Sequence, residues 1–266
     1  MRRLILAYIV TELQDAPAEL ARQPDIARTD DVAMVCHDLR TPLAAIKEAL
    51  ALLTEPASGQ LDDRQRRYLF VAREEIDRLN RMINDLVDVS RLDSGKVVLN
   101  SDAVDLPDIL ATALESLSLL VSKRNLVVER NVPSALPPVM GDRDRLLRVF
   151  SNILDNALKN SPPGGTIRVD VGLVDPGSNV LAQKGILAGS GYVEVTVSDD
   201  GPGIPTEALG RIFGKFECVD PNGPGTGLGL AIVRTIVEMH HGKVWAESSL
   251  DQGARFHFIL PIKGNS

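Results

Sequence analysis

Two long stripes of apolar residues with helical spacing dominate the first third of the chain. One stripe covers residues 32–53 and the other covers residues 69–86, and in both the apolar positions recur at steps of three or four. Turn-forming residues at 55–60 separate them, and Asp-Ser-Gly at 93–95 follows the second. The pattern predicts two helices that form an antiparallel hairpin. Because one hairpin cannot cover stripes of this length, we expect two copies of the chain to form a four-helix bundle.

After Gly95 the pattern changes to short runs rich in β-branched residues, separated by helical stretches. The predicted strands are 97–99, 126–129, 166–171, 192–197, 243–246 and 255–260, and the predicted helices are 106–121, 143–159 and 228–240. Residues 175–191 are rich in Gly, Ser, Asn and Pro and predict a surface hairpin insertion. The fold class is therefore α+β, a helical hairpin followed by an α/β sandwich. The expected domains are an N-terminal helical or linker segment 1–30, a hairpin domain 31–94 and a sandwich domain 95–266.

Composition removes several classes of function. The 266 residues carry a net charge of −7 and a sequence pI near 5.2, which argues against a nucleic-acid binder. The two cysteines, Cys36 and Cys218, lie far apart, so neither a disulfide framework nor a cysteine-based zinc site is expected. The apolar run 4–10 is much shorter than the roughly 20 residues that cross a bilayer. We expect a cytoplasmic protein without a membrane span.

His37 is the first candidate for chemistry. It lies about 200° around the first predicted helix from the apolar stripe, which predicts that it faces solvent, and Asp38 is its neighbour. Pro42 cannot donate to the carbonyl of Asp38 and should bend the helix beside the histidine. An imidazole held by a carboxylate can act as a nucleophile through its free nitrogen. The alternative is an inert surface histidine near a helix kink.

Asn152, Asn156 and Lys159 form the second candidate site. Their spacings of four and three place them on one face of the predicted helix 143–159. Two amide oxygens suit Mg²⁺, which keeps several of its waters, and a lysine suits phosphate oxygens. A solvated polar face with a lysine near the helix end is the alternative.

Two glycine-rich segments complete the candidate sites. A predicted strand ends at Asp199, whose carboxylate could accept a hydrogen bond from the exocyclic amine of adenine. Gly201 and Gly203 follow and permit close approach of backbone to a ligand, although Asp-Gly-Pro-Gly is also a common turn. Residues 223–230 lead into the helix 228–240, where backbone N–H groups and the helix dipole favour phosphate. This segment is not a Walker P-loop, because no Gly-Lys-Ser/Thr follows.

Five motifs in order resemble those of the catalytic core of two-component sensor histidine kinases, over residues 31–261. They are His-Asp-Leu-Arg-Thr-Pro at 37–42, Asn-x-x-x-Asn-Ala-x-Lys at 152–159, Asp-x-Gly-Pro-Gly-Ile at 199–204, Arg-Ile-Phe-Gly-Lys-Phe at 211–216 and Gly-Thr-Gly-Leu-Gly-Leu at 225–230. The resemblance implies a dimerisation and phosphoacceptor hairpin followed by a Bergerat-type ATP-binding domain. It also implies ATP and Mg²⁺ as cofactors.

The resemblance implies a role for each matching residue. His37 accepts the γ-phosphoryl group, Asp38 acts as base or orienting group in place of the family's more frequent Glu, and Thr41 positions water when the partner is dephosphorylated. Asn152 and Asn156 hold Mg²⁺ and Lys159 contacts phosphate. Asp199 recognises adenine in a pocket shaped by Gly201 and Gly203. The triphosphate is lined by Gly225, Thr226, Gly227 and Gly229, at the edge of a mobile lid over residues 217–223.

The implied partners are a second copy of the chain and the receiver domain of a response regulator, with input from a separate sensor protein or a domain outside this chain. Two positions depart from the family pattern: Asn160 stands where an aromatic residue often follows the lysine, and Cys218 where an arginine is frequent. These departures keep a non-catalytic or phosphatase-dominant dimeric module as an alternative. Another ATPase with the same pocket is a further alternative, which has no need of the histidine hairpin.

The other three histidines are interpreted as structural. His240 and His241 precede Gly242 at a helix end, where partial positive charge is favourable. His257 alternates with Phe256 and Phe258 in the last predicted strand and is expected on its solvent face.

Overall fold

A computed structural model of the chain describes residues 43–44, 46–47, 62–93, 98–174, 191–219 and 226–262. Four of the predicted site residues, His37, Asp38, Thr41 and Gly225, lie outside the described residues, as does most of the predicted insertion 175–191. The remaining predicted site residues are all within them.

Helix α1, Asp63–Asp93, is the second helix of the predicted hairpin and ends at the predicted residue. A reciprocal capping box fixes its start: the backbone N–H of Asp62 donates to Gln65 Oε1 at 2.9 Å, and that of Gln65 donates to Asp62 Oδ1 at 2.7 Å. Ile76 and Ile83 of the apolar stripe, together with the adjoining Val87, pack with the helical residue Leu43. Contact between the two predicted stripes is therefore present.

The second half of the chain is an α/β sandwich built on a mixed five-stranded sheet. The strands are β1 (Asp102–Val104), β2 (Val127–Asn131), β3 (Val139–Gly141), β4 (Thr166–Val174), β5 (Tyr192–Asp199), β6 (Lys243–Ser248) and β7 (Ala254–Pro261). The large sheet has the order β2-β4-β5-β7-β6, with only the β2–β4 pair parallel, and β1 pairs with β3 in a separate ribbon. This architecture confirms the predicted fold class.

Three helices cover one face of the large sheet. They are α2 (Leu106–Lys123), α3 (Arg143–Asn160) and α5 (Gly229–Met239), and a single turn, α4 (Thr206–Leu209), follows β5. Asp105 and Asp142 cap α2 and α3 by accepting from backbone N–H groups three residues on. In the core, the ring of Phe150 from α3 meets that of Phe258 from β7 edge to face at 5.3 Å, and both side chains are fully buried. The core thereby fixes α3 against the sheet.

One predicted strand is wrong. Val98 and Leu99 are not in a strand, and the extended segment begins at Asp102, where β1 pairs with β3. Each of these strands is three residues long, so neither shows enough alternation of polar and apolar residues to be found from sequence.

His257 lies on the sheet face opposite the core, as predicted, but little of it reaches solvent. Its ring stacks parallel on Trp245 at 5.0 Å, its Nδ1 lies 3.1 Å from Glu194 Oε1, and its side chain is 12% exposed. Tyr192 and Ile259 are buried on the same face, so the outer surface of the sheet carries a small apolar cluster of its own.

The interpretation of His240 as a charged helix-end residue is wrong. The side chain is 3% exposed, and its Nε2 accepts the backbone N–H of Asp142 at 2.9 Å, so the proton lies on Nδ1, which donates to the carbonyl of Ile236 at 2.7 Å. Burial lowers the pKa of His240. The neutral ring joins the end of α5 to the start of α3, and a Cβ on Gly141 would lie 2.7 Å from it.

We expect this buried imidazole to make the domain less stable in mild acid. Because the pKa of folded His240 lies below the unfolded value of 6.5, its contribution is complete above that pH and is lost as the pH falls through the folded value. The melting temperature should fall between about pH 7.5 and 5.5, and His240→Gln should reduce this dependence. His241→Asn, at the exposed neighbouring position, should change it much less, because the charge of His241 is only a minor cause of the lowered pKa of His240. Equal pH dependence in wild type and His240→Gln would contradict the assignment.

Candidate functional site

Helix α3 presents the predicted amide and lysine side chains toward the start of α5. Asn152 is half-buried, and its Nδ2 donates to the carbonyl of Gly229 at 3.2 Å. Asn156 lies one turn later and is also half-buried, whereas Lys159 is exposed. Since the amide nitrogen of Asn152 is engaged, its oxygen is the atom left for a ligand. The predicted common face of α3 is therefore present.

Neighbouring polar residues already contact two members of this face. Lys159 Nζ lies 2.5 Å from Asp155 Oδ2, one helical turn earlier. Asn160 Nδ2 donates to the carbonyl of Asn156 at 2.8 Å and lies 3.3 Å from Asn156 Oδ1. The lysine is thus neutralised by a carboxylate where a phosphate could take its place, and Asn160 restrains the amide of Asn156.

Asp199 ends β5 beneath a glycine turn and is 6% exposed. Its Oδ1 accepts the backbone N–H of Gly201 at 2.9 Å. Burial raises the pKa of Asp199, although hydrogen bonds from the backbone N–H groups of Gly201 and Ala254 oppose that rise. A carboxylate has about four acceptor positions, so the group retains capacity for a ligand amine.

The turn after Asp199 needs glycine for two different reasons. A Cβ on Gly201 would lie 2.6 Å from Asp199 Oδ1 and 3.0 Å from the carbonyl oxygen of Asn160. Gly203 has φ +76°, and a Cβ there would lie 2.1 Å from the carbonyl oxygen of Ser249. Sequence reasoning missed Gly253, which packs against Asp199 so closely that a Cβ would lie 1.9 Å from the Asp199 carbonyl oxygen. Its position in the β6–β7 turn, 54 residues away in sequence, gave no signal.

The glycine-rich segment before α5 is held by its own hydrogen bonds. Thr226 Oγ1 accepts the backbone N–H of Leu228 at 3.2 Å. Gly227 has φ +69°, its carbonyl accepts the N–H of Phe216 at 2.9 Å, and a Cβ on it would lie 2.6 Å from the Phe216 backbone. The segment therefore lies against residues 211–216, the motif that precedes the predicted lid.

These contacts bring three motifs, far apart in sequence, to one site. Asn152 joins α3 to Gly229 at the start of α5, and the Asn160 carbonyl at the end of α3 adjoins Gly201. The site therefore combines a buried carboxylate with amide oxygens, a lysine and a helix N-terminus. Such an arrangement can bind an amine-bearing base together with a phosphate chain.

The donor set fits Mg²⁺ held together with phosphates. Among the described residues, no group of three or more His, Cys, Asp or Glu side chains is placed to hold a metal ion. The amide oxygens of Asn152 and Asn156 are hard ligands, and Mg²⁺ bound by few protein groups normally completes its shell with water and substrate phosphate.

Sequence reasoning also missed a contact between α1 and this site. Asp85 Oδ1 lies 2.6 Å from a terminal guanidinium nitrogen of Arg148, and Asp85 Oδ2 accepts from Thr226 Oγ1 at 3.2 Å. Asp85 and Arg148 occupy polar positions of their helices, whereas the fold prediction used only the apolar positions. No sequence signal pairs residues that are 63 positions apart.

Comparison with known families matches both halves of the chain. Residues 27–95 match the family described as His Kinase A (phospho-acceptor) domain, and residues 141–264 match the family described as histidine kinase-, DNA gyrase B-, and HSP90-like ATPase. Within the described part of the chain, no helix is both long and apolar enough to span a bilayer.

Individual relatives are similar over most of the chain. The adaptive-response sensory kinase SasA of Synechococcus sp. (strain JA-2-3B'a(2-13)) is 35% identical over 94% of this chain and 63% of its own length. Drug sensory protein A of Synechocystis sp. (strain ATCC 27184 / PCC 6803 / Kazusa) is 34% identical over 97% of this chain and 38% of its own. The chain thus spans less than two thirds of these relatives. The crystal structure of full-length ShkA in complex with AMPPNP matches 89% of this chain and 46% of its own, with a TM-score of 0.69 and 29% identity.

Proposed function

Because this chain belongs to the sensor histidine kinases, we propose that it is an ATP-dependent protein histidine kinase of a two-component system. In this proposal the hairpin domain 31–94 carries the phosphoacceptor His37 and the sandwich domain 95–266 binds ATP. The observation that carries the proposal is the meeting of Asp199, the α3 amides and the start of α5 at one site. The same chain matches both an ATPase family and a phospho-acceptor family, and this combination does not favour the two alternatives, another ATPase or a non-catalytic module.

At the base end of the site, Asp199 accepts a hydrogen bond from the exocyclic amine of adenine. Its burial excludes water that would otherwise compete for the same lone pairs. Gly201 and Gly203 keep the space beside the carboxylate free of side chains. This arrangement supports a preference for adenine over bases that carry an oxygen at the same position.

At the phosphate end, Asn152 and Asn156 supply the amide oxygens for Mg²⁺, which neutralises charge on the phosphate oxygens when bound. Lys159 exchanges Asp155 for a phosphate oxygen as the nucleotide arrives. Gly225, Thr226, Gly227 and Gly229 line the triphosphate, with backbone N–H groups at the start of α5 as donors. Phosphoryl transfer mainly needs positioning and charge neutralisation, which these residues can supply.

In the transfer step, a ring nitrogen of His37 forms a bond to the γ-phosphorus while the bond from that phosphorus to the β–γ bridging oxygen breaks, and ADP leaves. Asp38 accepts or orients the proton on the other ring nitrogen. The phosphoryl group then passes to an aspartate in the receiver domain of a response regulator, and Thr41 positions water when the protein dephosphorylates that partner. We further propose a homodimer that acts in the cytoplasm, where ATP is available, and receives its input from a separate sensor protein or domain.

The test is incubation of the purified chain with γ-labelled ATP and Mg²⁺, in parallel with His37→Gln. We expect an acid-labile, alkali-stable label on the wild type and its complete loss in the variant, because glutamine has no nucleophilic ring nitrogen. The variant should still bind AMPPNP, since His37 is not part of the nucleotide site. Label or ATP hydrolysis that survives the substitution would contradict the role of His37. Nucleotide binding without any label would instead favour a phosphatase or an interaction module.

A further inference from the structure

Asp85 on α1 contacts two separate elements of the ATP-binding domain. Its Oδ1 lies 2.6 Å from a guanidinium nitrogen of Arg148 on α3, and its Oδ2 accepts the hydroxyl proton of Thr226 in the glycine-rich segment at 3.2 Å. Asp88, one turn later on α1, lies 3.1 Å from the same nitrogen of Arg148. Asp85 is the more buried of the two carboxylates, with 14% of its side chain exposed against 42% for Asp88.

Both partners of Asp85 lie next to, or among, the residues that the proposed function assigns to the phosphates. Arg148 precedes Asn152 by four residues, so it occupies the same face of α3 as Asn152 and Asn156. Thr226 belongs to the segment along which the proposed function places the triphosphate. Helix α1 therefore contacts the ATP-binding domain through groups that would otherwise be available to an anionic ligand.

The chemistry of a hydroxyl makes these two uses of Thr226 exclusive. A threonine has one O–H proton, and here it is donated to Asp85, while the oxygen accepts the N–H of Leu228. To donate to a phosphate, Thr226 must release Asp85. The two carboxylates of α1 would also repel a triphosphate at close range.

We propose that Asp85 is an intramolecular latch, which holds α1 on Thr226 and Arg148 and competes with the phosphates of the nucleotide for the same end of the site. The inference rests on the proposed function, because that function places phosphate at Thr226. By linkage, whatever strengthens the latch weakens nucleotide binding, and nucleotide weakens the latch to the same degree. Nucleotide binding would thus free the ATP-binding domain from α1.

The burial of the Asp85 carboxylate favours loss of its two contacts, with Arg148 and with Thr226, in a single step. Burial raises the pKa of Asp85, while the charge of Arg148 and the hydrogen bond from Thr226 oppose that rise. If Thr226 turns to a phosphate, the carboxylate loses one of these compensating partners but stays desolvated. Separation of α1 from the domain then restores its hydration, so loss of one contact favours loss of the others.

The test is calorimetric titration of the full chain with Mg²⁺-AMPPNP, using Asp85→Asn and the matched control Asp88→Asn. Both substitutions remove one negative charge beside Arg148, but only Asp85 contacts Thr226. We expect Asp85→Asn to bind roughly 3- to 10-fold more tightly than wild type, within the range of measured coupling effects, and Asp88→Asn to change affinity less than about twofold. Unchanged or weaker binding by Asp85→Asn would overturn the latch, and so would equal gains in both variants, which indicate charge removal alone.

Hydrogen exchange provides a second readout that does not depend on the measured affinities. In the wild type, AMPPNP should increase exchange of the backbone amides over residues 82–92 of α1, and Asp85→Asn should show that increase without nucleotide. Protection or no change on binding would overturn the latch. A wild-type chain that binds no AMPPNP would overturn the proposed nucleotide site and the latch together. If the wild type binds AMPPNP and both variants bind it with the same affinity as the wild type, the latch alone is overturned.

Discussion

Replacement of Asp199 by asparagine is expected to weaken AMPPNP binding roughly 10- to 100-fold, because a charge-assisted hydrogen bond to the adenine amine is worth about 1.5–3 kcal/mol. Folding should be little affected. Burial already raises the pKa of Asp199, so the folded state disfavours its charge, and asparagine keeps the shape and one acceptor oxygen for the N–H of Gly201. Calorimetric titration and thermal melting separate the two effects.

The neighbouring residue provides the matched control for this substitution. Asp200 is exposed and accepts the backbone N–H of Thr166 at 2.8 Å, outside the proposed adenine contact. Asp200→Asn should therefore bind AMPPNP with nearly wild-type affinity. Equal losses in both variants would indicate a general effect of charge in the turn, and no loss in Asp199→Asn would contradict the assignment of the adenine contact.

The base of the nucleotide gives a sharper test of the same contact. An inosine nucleotide carries an oxygen where adenine carries the amine, so it cannot donate to Asp199. The wild type should prefer the adenine nucleotide, and Asp199→Asn should lose most of that preference, because an asparagine amide can donate to the inosine oxygen. A preference that persists in the variant would show that other groups recognise the base.

The parts of the molecule that could be predicted from sequence are those encoded by local periodicity or by an ordered set of motifs. The stripe of α1 repeats without interruption, the three long helices of the sandwich have apolar faces of their own, and two of them, α2 and α3, begin at a capping aspartate. The family motifs identified Asn152, Asn156 and Asp199 as candidates. In the structure, the helix that carries the two asparagines contacts both the start of α5, through Asn152, and the glycine turn after Asp199, through the carbonyl of Asn160.

The parts that could not be predicted depend on contacts between distant segments. β1 and β3 are each stabilised by the other and too short to show a period. In the sequence His240 resembles an exposed helix-end residue. In the structure the start of α3 covers it, and the N–H of Asp142 donates to its ring. Likewise, the contact between Asp85 and Thr226 joins two domains across 141 residues, and only the packing of α1 on the sandwich reveals it.

Replacement of Phe150 by alanine is expected to destabilise the ATP-binding domain by about 3–5 kcal/mol, through lost burial and a residual cavity. Phe150 is fully buried and meets Phe258 edge to face, so its truncation would leave a cavity between α3 and the sheet. The free energy of unfolding of a native domain is only about 5–15 kcal/mol, so this loss removes a large part of the stability. Because α3 also carries Asn152 and Asn156, loss of this packing should reduce nucleotide binding although Phe150 lies on the buried face of that helix.

Urea unfolding followed by the fluorescence of Trp245, the one tryptophan of the chain, measures this effect within the ATP-binding domain. Leu119→Ala is the matched control on α2, because Leu119 is 65% exposed and should change stability by less than about 0.5 kcal/mol. Saturation with AMPPNP at about 100 times its dissociation constant should restore about 2.7 kcal/mol to the Phe150→Ala variant, since the ligand binds only the folded domain. If that rescue is absent while wild type is stabilised, the variant has lost the arrangement of α3 that holds the nucleotide. If Phe150→Ala costs no more than Leu119→Ala, α3 is not fixed by the core, and the nucleotide site must be positioned by other contacts.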